Sequence, residues 1–338
     1  MSKNIIAVPP YYKGTSFEDI VNHLDVAKEK VNRDIRFYGF AGRPFENTIS
    51  SEDVLDDSRF IDGQWMLIRN IIKQKDRFEK ILFLDFFSPG IDLFKYTLEQ
   101  DKRNIKVGSL IHGGSFVAND LYDHSWLKYF ERGWFDVNDV LYVPSYYLKN
   151  YCPKDFREKI KVKTWGLDSF IPKKSTKKKW DVIFPHRLQK DKGIERFIRI
   201  ITMCSNVEFL VTTPQKKEFL LNNKYYKKLQ KIENVNFFYE VDNETFIDYL
   251  SQAKIVLSCA SQEAFGYSVM KAVACGCIPV LPNQACYSEF FNKNELYNKT
   301  EEASIFIKKI LEEKKDNFHL KEEIMEFSFT PLLENFFK

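Results

Sequence analysis

The sequence predicts an α/β protein made of two doubly wound domains, and three observations lead there. At 338 residues it is longer than one hydrophobic core usually supports, which favours two domains of roughly 150 residues each. Short apolar runs alternate with amphipathic helical stretches, the pattern of a parallel sheet covered by helices. The alternation breaks once, at residues 169–179 (SFIPKKSTKKK), and then starts again. That segment holds a Pro, five Lys and no periodicity, as expected of a solvated linker, with a nucleic-acid contact as the functional alternative. The expected organisation is therefore an N-terminal domain over 1–168, the linker 169–179, a second domain over 180–322 and a closing helix over 323–338.

In the first half, residues 4–8 read as a strand and 9–14 as a loop. Thr15-x-x-Glu18 forms a capping box. Phe17, Ile20, Leu24, Ala27 and Val31 then recur at spacings of three and four, giving one apolar helix face. Strands follow at 35–40, 81–87, 105–111 and 140–143, with a polar loop over 48–59 and a helix over 64–75. The second half has strands at 181–184, 207–212, 235–239, 255–259 and 278–281. Its helices fall at 193–203, 217–232, 244–253 and 266–275, and helical segments close the chain from 300 to 337. Sheets of this kind bind ligands beyond the carboxyl ends of their strands.

Composition narrows the function class. A net charge of +4 is too small to imply a polyanionic partner by itself, so any basic patch has to be local. Six cysteines without paired Cys-x-x-Cys spacing read as buried thiols in a reducing compartment. No run approaches the roughly 18 apolar residues of a membrane span, and the N-terminus lacks a signal-peptide core. The expectation is a cytoplasmic protein. Neither a Gly-x-x-x-x-Gly-Lys-Ser/Thr phosphate loop nor a Gly-x-Ser-x-Gly elbow occurs, which disfavours an NTPase or a serine hydrolase.

The densest chemical signal is residues 258–280, SCASQEAFGYSVMKAVACGCIPV. A strand leads into a loop carrying Glu263, then Gly266, a helix beginning with Tyr267 and Ser268, Gly276 as its stop, and another strand. A helix start offers free N–H groups and the positive end of the dipole, which suits a diphosphate. Glu263, at the turn, could accept hydrogen bonds from two sugar hydroxyls.

This segment resembles the Glu-x7-Glu signature of retaining GT-B glycosyltransferases, the clan of glycogen and sucrose synthases. The stretch 184–193, FPHRLQKDKG, is similar to the clan's Arg…Lys-Gly element, where the two cations clamp the donor diphosphate. Pro-His-Arg, Glu-x-Phe-Gly, Ala-Val-x-Cys-Gly-Cys and the closing Phe327-Ser328-Phe329 bring the likeness closest to tRNA-queuosine mannosyltransferases and related phage glycosyltransferases. The resemblance implies the GT-B arrangement, two Rossmann-like domains facing across a cleft. It also implies anomeric retention, a nucleotide-diphosphate sugar as co-substrate, and no metal or further cofactor; consistently, no Asp-x-Asp triplet occurs. It assigns Arg187, Lys192, Glu263 and His112 to catalysis, His112 standing in Ile-His-Gly-Gly-Ser after a strand. His186, Gly266, Tyr267, Ser268 and Lys271 become donor-binding candidates. Lys271 departs from the clan, which has its second Glu there; a Lys only donates and cannot receive ribose hydroxyls.

Acceptor-side candidates are Tyr11, Lys13 and Gly14 in the first strand-to-helix loop, Asp85 as a base or a loop cap, and Asp120. His124 and Glu131 are weaker, and Glu289 reads as a helix cap. The acceptor implied is a modified nucleobase of tRNA or DNA, with the aromatic run 122–134 suited to stacking. Alternatives are a surface glycan or lipid-linked acceptor, or a binding module inactivated by Lys271.

Overall fold

The structure is a computed structural model that describes residues 3–9, 16–31, 34–39, 58–117, 125–175, 177–313 and 318–338. The chain divides into two compact units, Met1–Ser169 with Phe327–Lys338, and Phe170–Glu326. Tyr11, Lys13, Gly14, Thr15, Asp120 and His124, and most of the loop expected over 48–59, lie outside the described residues.

The first unit carries β1 (Asn4–Val8), β2 (Ile35–Gly39), β3 (Lys80–Phe83), β4 (Lys106–Leu110), β5 (Val140–Val143) and β6 (Ile160–Val162). They form one parallel sheet in the order β2-β1-β3-β4-β5-β6. β6 is a sixth strand beyond the five expected. β3 stops at Phe83 instead of running to residue 87, because Asp85 turns the chain: its Oδ1 accepts from Phe87 N at 3.1 Å and its carbonyl from Ser88 Oγ at 2.7 Å.

The last helix, Thr330–Phe337, belongs to this first unit. Its C-terminal carbonyls are met by two lysines from the sheet: Lys106 Nζ donates to Phe336 O at 2.8 Å and Lys80 Nζ to Phe337 O at 3.0 Å. Cations at a helix C-terminus are favoured by the macrodipole. Asp168 fixes the other end, where its Oδ2 accepts from Phe329 N at 2.9 Å and its Oδ1 from Ser328 Oγ at 2.5 Å.

The second unit carries β7 (Trp180–Phe184), β8 (Phe209–Thr212), β9 (Val235–Phe238), β10 (Ala253–Leu257), β11 (Ile278–Pro282) and β12 (Leu296–Tyr297). All pair in parallel, in the order β9-β8-β7-β10-β11-β12. The chain order reverses between β7 and β10, the point at which open α/β sheets bind ligands. β7 and β10 are buried along almost their whole length, as doubly covered parallel strands must be. Phe184 stacks on Phe197 with centroids 4.0 Å apart, locking β7 to the helix Ile194–Met203.

Two elements differ instructively. The helix expected over 217–232 is split into Lys217–Leu221 and Lys224–Leu229, because Asn223 Oδ1 accepts from the amides of Tyr225 and Tyr226 and starts a second helix. The segment expected as a solvated linker is held to the second unit: Phe170 is buried, and Lys173 pairs with Asp248 at 2.7 Å. All six cysteines are buried free thiols. Among the described residues no helix is long and apolar enough to cross a membrane.

Candidate active site

The loops leaving β7 and β10 meet at the reversal point of the second sheet. Their approach is set by Gly193, whose φ of +66° suits only glycine comfortably, and where an added Cβ would lie 1.9 Å from the Cys259 carbonyl oxygen. Ser261 completes the clasp by donating to Asp191 O, through its amide at 2.7 Å and its hydroxyl at 3.0 Å. The consequence is an ion pair across the two loops. Lys192 Nζ stands 3.0 Å from Glu263 Oε2 and 3.2 Å from Asp191 Oδ2. Burial opposes the Lys192 charge, but Glu263 and Asp191 outweigh it and hold its pKa above the ordinary lysine value.

His186 sits at the end of β7, with Nε2 3.0 Å from Ser258 Oγ at the end of β10. Burial first, then the cations of Lys192 and Arg187, press its pKa down to about 3, so the ring is neutral at physiological pH. Arg187 thereby reveals its own position, close enough to act on both His186 and Lys192. Ser258 is a hub. Its Oγ meets Tyr287 OH at 3.0 Å and accepts from Ala260 N at 3.3 Å, while its carbonyl accepts from Tyr297 OH at 2.8 Å.

Beyond Glu263 the chain turns through Gly266, whose φ is +82°, into the helix Tyr267–Ala274. A Cβ on Gly266 would come within 3.1 Å of the Tyr287 ring, so glycine also lets Tyr287 pack under the turn. Tyr267 and Ser268 are half-buried at the helix start. Lys271 is buried further along it, with Nζ 3.4 Å from Asn243 Oδ1 and 5.7 Å from the Phe170 ring centroid.

In the first unit, His112 follows β4. Its Nε2–H donates to Leu84 O at 2.8 Å, because a carbonyl can only accept, and this leaves Nδ1 as the basic nitrogen. Phe17 and Trp165 flank the ring at 4.6 and 4.4 Å between centroids. Burial lowers its pKa to about 4 despite that hydrogen bond. Asp85 is a buried turn cap as described above, and Glu131 is a buried anchor accepting from the Ser115 amide at 2.8 Å. Glu289 lies in the first turn of the short helix Tyr287–Phe290.

The residues brought together are thus His186, Lys192 and Glu263, with Arg187 in electrostatic reach. Sequence reading missed Asp191, Ser258 and Tyr287 as members. Asp191 had a local signal in Lys-Asp-Lys-Gly; Ser258 and Tyr287 had none, being 72 and 29 residues from the partners they join.

Residues 168–326 match the family of glycosyl transferases group 1. That match covers 159 of the 338 residues. A tRNA-queuosine alpha-mannosyltransferase of Drosophila melanogaster is 31% identical over 123 residues, which is 35% of this chain and 32% of that protein. The match therefore spans about a third of the relative's length. Among solved structures, the sucrose-phosphate synthase of Thermosynechococcus elongatus superposes with a TM-score of 0.69 at 14% identity, covering 97% of this chain and 96% of that one. The catalytic domain of starch synthase IV from Arabidopsis thaliana gives 0.70 at 11% identity, with 99% and 98% covered. Anabaena HepE in complex with UDP and glucose gives 0.69 at 12% identity, with 98% and 97% covered. The fold is GT-B, two units each with a parallel six-stranded sheet.

Proposed function

We propose that the protein transfers a sugar, with retention, from a nucleoside-diphosphate donor to an acceptor hydroxyl. The carrying observation is the Lys192–Glu263 pair at the reversal point of the second sheet, 3.0 Å apart and beside a neutral His186. Lys192 and Arg187 bring positive charge to where the departing diphosphate becomes more negative, and the amides at the start of the helix Tyr267–Ala274 add to it. Glu263 is shared between Lys192 and the sugar hydroxyls, so donor binding and charge neutralisation use one carboxylate. HepE, a structural neighbour with UDP and glucose bound, supports this class of donor. Replacing Arg187 with alanine is expected to lower nucleoside-diphosphate release from the preferred donor by about a hundredfold, the size of one lost oxyanion contact. Release at the unmutated rate overturns the clamp. Silence across UDP-, GDP- and ADP-sugars would mark a binding module instead.

The acceptor we propose is a nucleobase-bearing nucleic acid, favoured by the first unit's aromatic rim. Trp126 (50% exposed), Tyr129 (83%) and Phe130 (57%) surround the start of the helix Leu127–Val137, and Tyr146 (63%) opens Tyr146–Tyr151 after β5. Strands β4 and β5 are parallel neighbours, so both helices start on the carboxyl rim that also carries His112. The core-facing stripe of the first helix includes Leu127, Trp134 and Phe135; Phe130 bridges Trp126 and Trp134 with centroids 6.0 and 6.4 Å away, and Tyr129 is the most exposed of these rings. Residues 125–163 hold eight Lys and Arg against five Asp and Glu, a local basic excess. The tRNA-modifying relative supports the same class. Tyr129→Ala is expected to weaken retention on tRNA by about tenfold, the lower end for one stacked base, without changing donor hydrolysis. Salt-insensitive or unaltered retention would exclude nucleic acid and favour a glycan acceptor.

A further inference from the structure

We propose that Tyr287 and Ser258 lock His186 into the tautomer protonated on Nδ1, so that it offers a neutral N–H donor to the nucleotide's diphosphate. The ligand half rests on the donor reading above; the tautomer half does not.

The argument is a count of protons. Ser258 Oγ is 3.0 Å from His186 Nε2 and 3.0 Å from Tyr287 OH, and it accepts from the Ala260 amide at 3.3 Å. A hydroxyl has one proton to give and two lone pairs. In the first arrangement Tyr287 donates to Ser258 and Ser258 donates to His186 Nε2. The Tyr287 and Ser258 protons then both have acceptors, and the imidazole proton is on Nδ1, which is not among the buried side-chain atoms left without a partner. In the reverse arrangement His186 Nε2–H donates to Ser258, which donates to Tyr287. The phenol proton of fully buried Tyr287 then faces no acceptor, since Ser258 Oγ is its hydrogen-bond partner among the described residues. Leaving a buried donor unmade costs about 1–3 kcal/mol, enough to make the first arrangement dominant by tenfold or more.

The first arrangement leaves Nδ1–H as the open donor, and no described residue accepts from it. The groups that act on this ring are Lys192 and Arg187, both cations, with Asp191 opposing them. An anion is the partner such a neighbourhood draws in, and a neutral donor contributes a hydrogen bond there without adding a third positive charge. Burial keeps the ring from taking a second proton until the pH falls toward 3. The donor's presentation is therefore constant across the physiological range.

Imidazole 15N–1H spectra of the whole chain test this, with His186→Gln to assign the resonance among the five histidines. In the free protein the expected pattern is a protonated Nδ1 and a bare Nε2, unchanged from pH 8 to pH 5. Adding UDP, GDP and ADP in turn should shift Nδ1 with the one nucleotide that binds, leaving Nε2 in place. Ser258→Ala removes the hydroxyl that donates to Nε2, so a mixture of tautomers is expected, with a KM for the sugar nucleotide raised about tenfold and a smaller change in kcat. In Tyr287→Phe the Ser258 proton has Nε2 as its one acceptor, so Nδ1 should stay protonated. Should Ser258→Ala fail to fold, a mixture of tautomers in Tyr287→Phe would still overturn the proton count. Finding Nε2 protonated in the free wild type overturns the lock. Saturation by a nucleotide with Nδ1 unmoved overturns the ligand role alone and leaves the donor reading standing. Failure of every nucleotide to bind removes the donor reading and the ligand role together, while the free-protein spectrum still decides the tautomer.

Discussion

Replacing Gly193 with alanine is expected to destabilise the second unit by about 3 kcal/mol and to abolish measurable sugar-nucleotide turnover. Two independent penalties meet at this residue. Its φ of +66° is a conformation that L-residues adopt at a cost of about 1–2 kcal/mol. The added methyl would also lie 1.9 Å from the Cys259 carbonyl oxygen, a backbone atom that cannot swing aside as a flexible side chain would. Relieving that clash means parting the loops after β7 and β10. Parting them breaks the Ser261 bonds to Asp191 and pulls Lys192 from Glu263. Gly276 supplies the control. Its φ is +93°, yet the nearest neighbour to an added Cβ is the Lys178 ammonium at 3.8 Å, the end of a flexible chain. Gly276→Ala should therefore carry only the conformational penalty and keep most activity. Urea unfolding followed through Trp180, the second unit's one tryptophan, measures both. Equal losses in the two variants would mean that the clash at Cys259 is relieved without consequence.

The contrast between those glycines also shows what a sequence reveals. Gly193 and Gly276 look alike as punctuation after a basic stretch and after a helix, and only the packing separates them. The alternation of apolar runs and helical stretches revealed five of the six strands in each sheet, because strands buried on both faces are apolar almost throughout, and it left out the short β6 and β12. It failed where burial and strand pairing part company. Leu84, Phe86 and Phe87 are buried like the strand before them, so 81–87 reads as one strand, although pairing ends at Phe83. The opposite failure is β6, three residues long and set among lysines in Lys-Ile-Lys-Val-Lys, with too little apolar character to stand out.

The site divides the same way. Glu263, Arg187 and Lys192 were legible through motif spacing, since each lies within a few residues of a strand end. Their mutual geometry was not, because it depends on a glycine contact between two loops some 70 residues apart. Asp85 shows the limit from the other side. A carboxylate after a strand suits a base or a cap equally well on sequence, and the amide of Phe87 bonded to its Oδ1 identifies the cap.

Lys192→Met is the second large effect, and it separates charge from packing. Methionine keeps the length of the side chain and fills the same space, so the backbone has no reason to move. The cation is lost, and Glu263 and Asp191 then face each other's charge in a largely buried site, a loss of about 3 kcal/mol if both stay ionised. Under the proposed clamp, turnover should fall about 10²–10³-fold, mostly in kcat, since such a contact would strengthen as the diphosphate departs. The sign of the pH dependence follows from the raised pKa. In the wild type the pair's stabilisation is complete below the ordinary lysine value of 10.5 and is lost only as pH rises through the higher folded value. The variant should therefore be less stable than wild type throughout the neutral range, with the gap closing in strong alkali. Adding Glu263→Gln in a double-mutant cycle tells whether the two residues act as one. If they do, the double variant turns over no more slowly than Lys192→Met alone. Independent, multiplying losses would mean that Glu263 serves the sugar without help from Lys192, and that the 3.0 Å pair only holds the loops together.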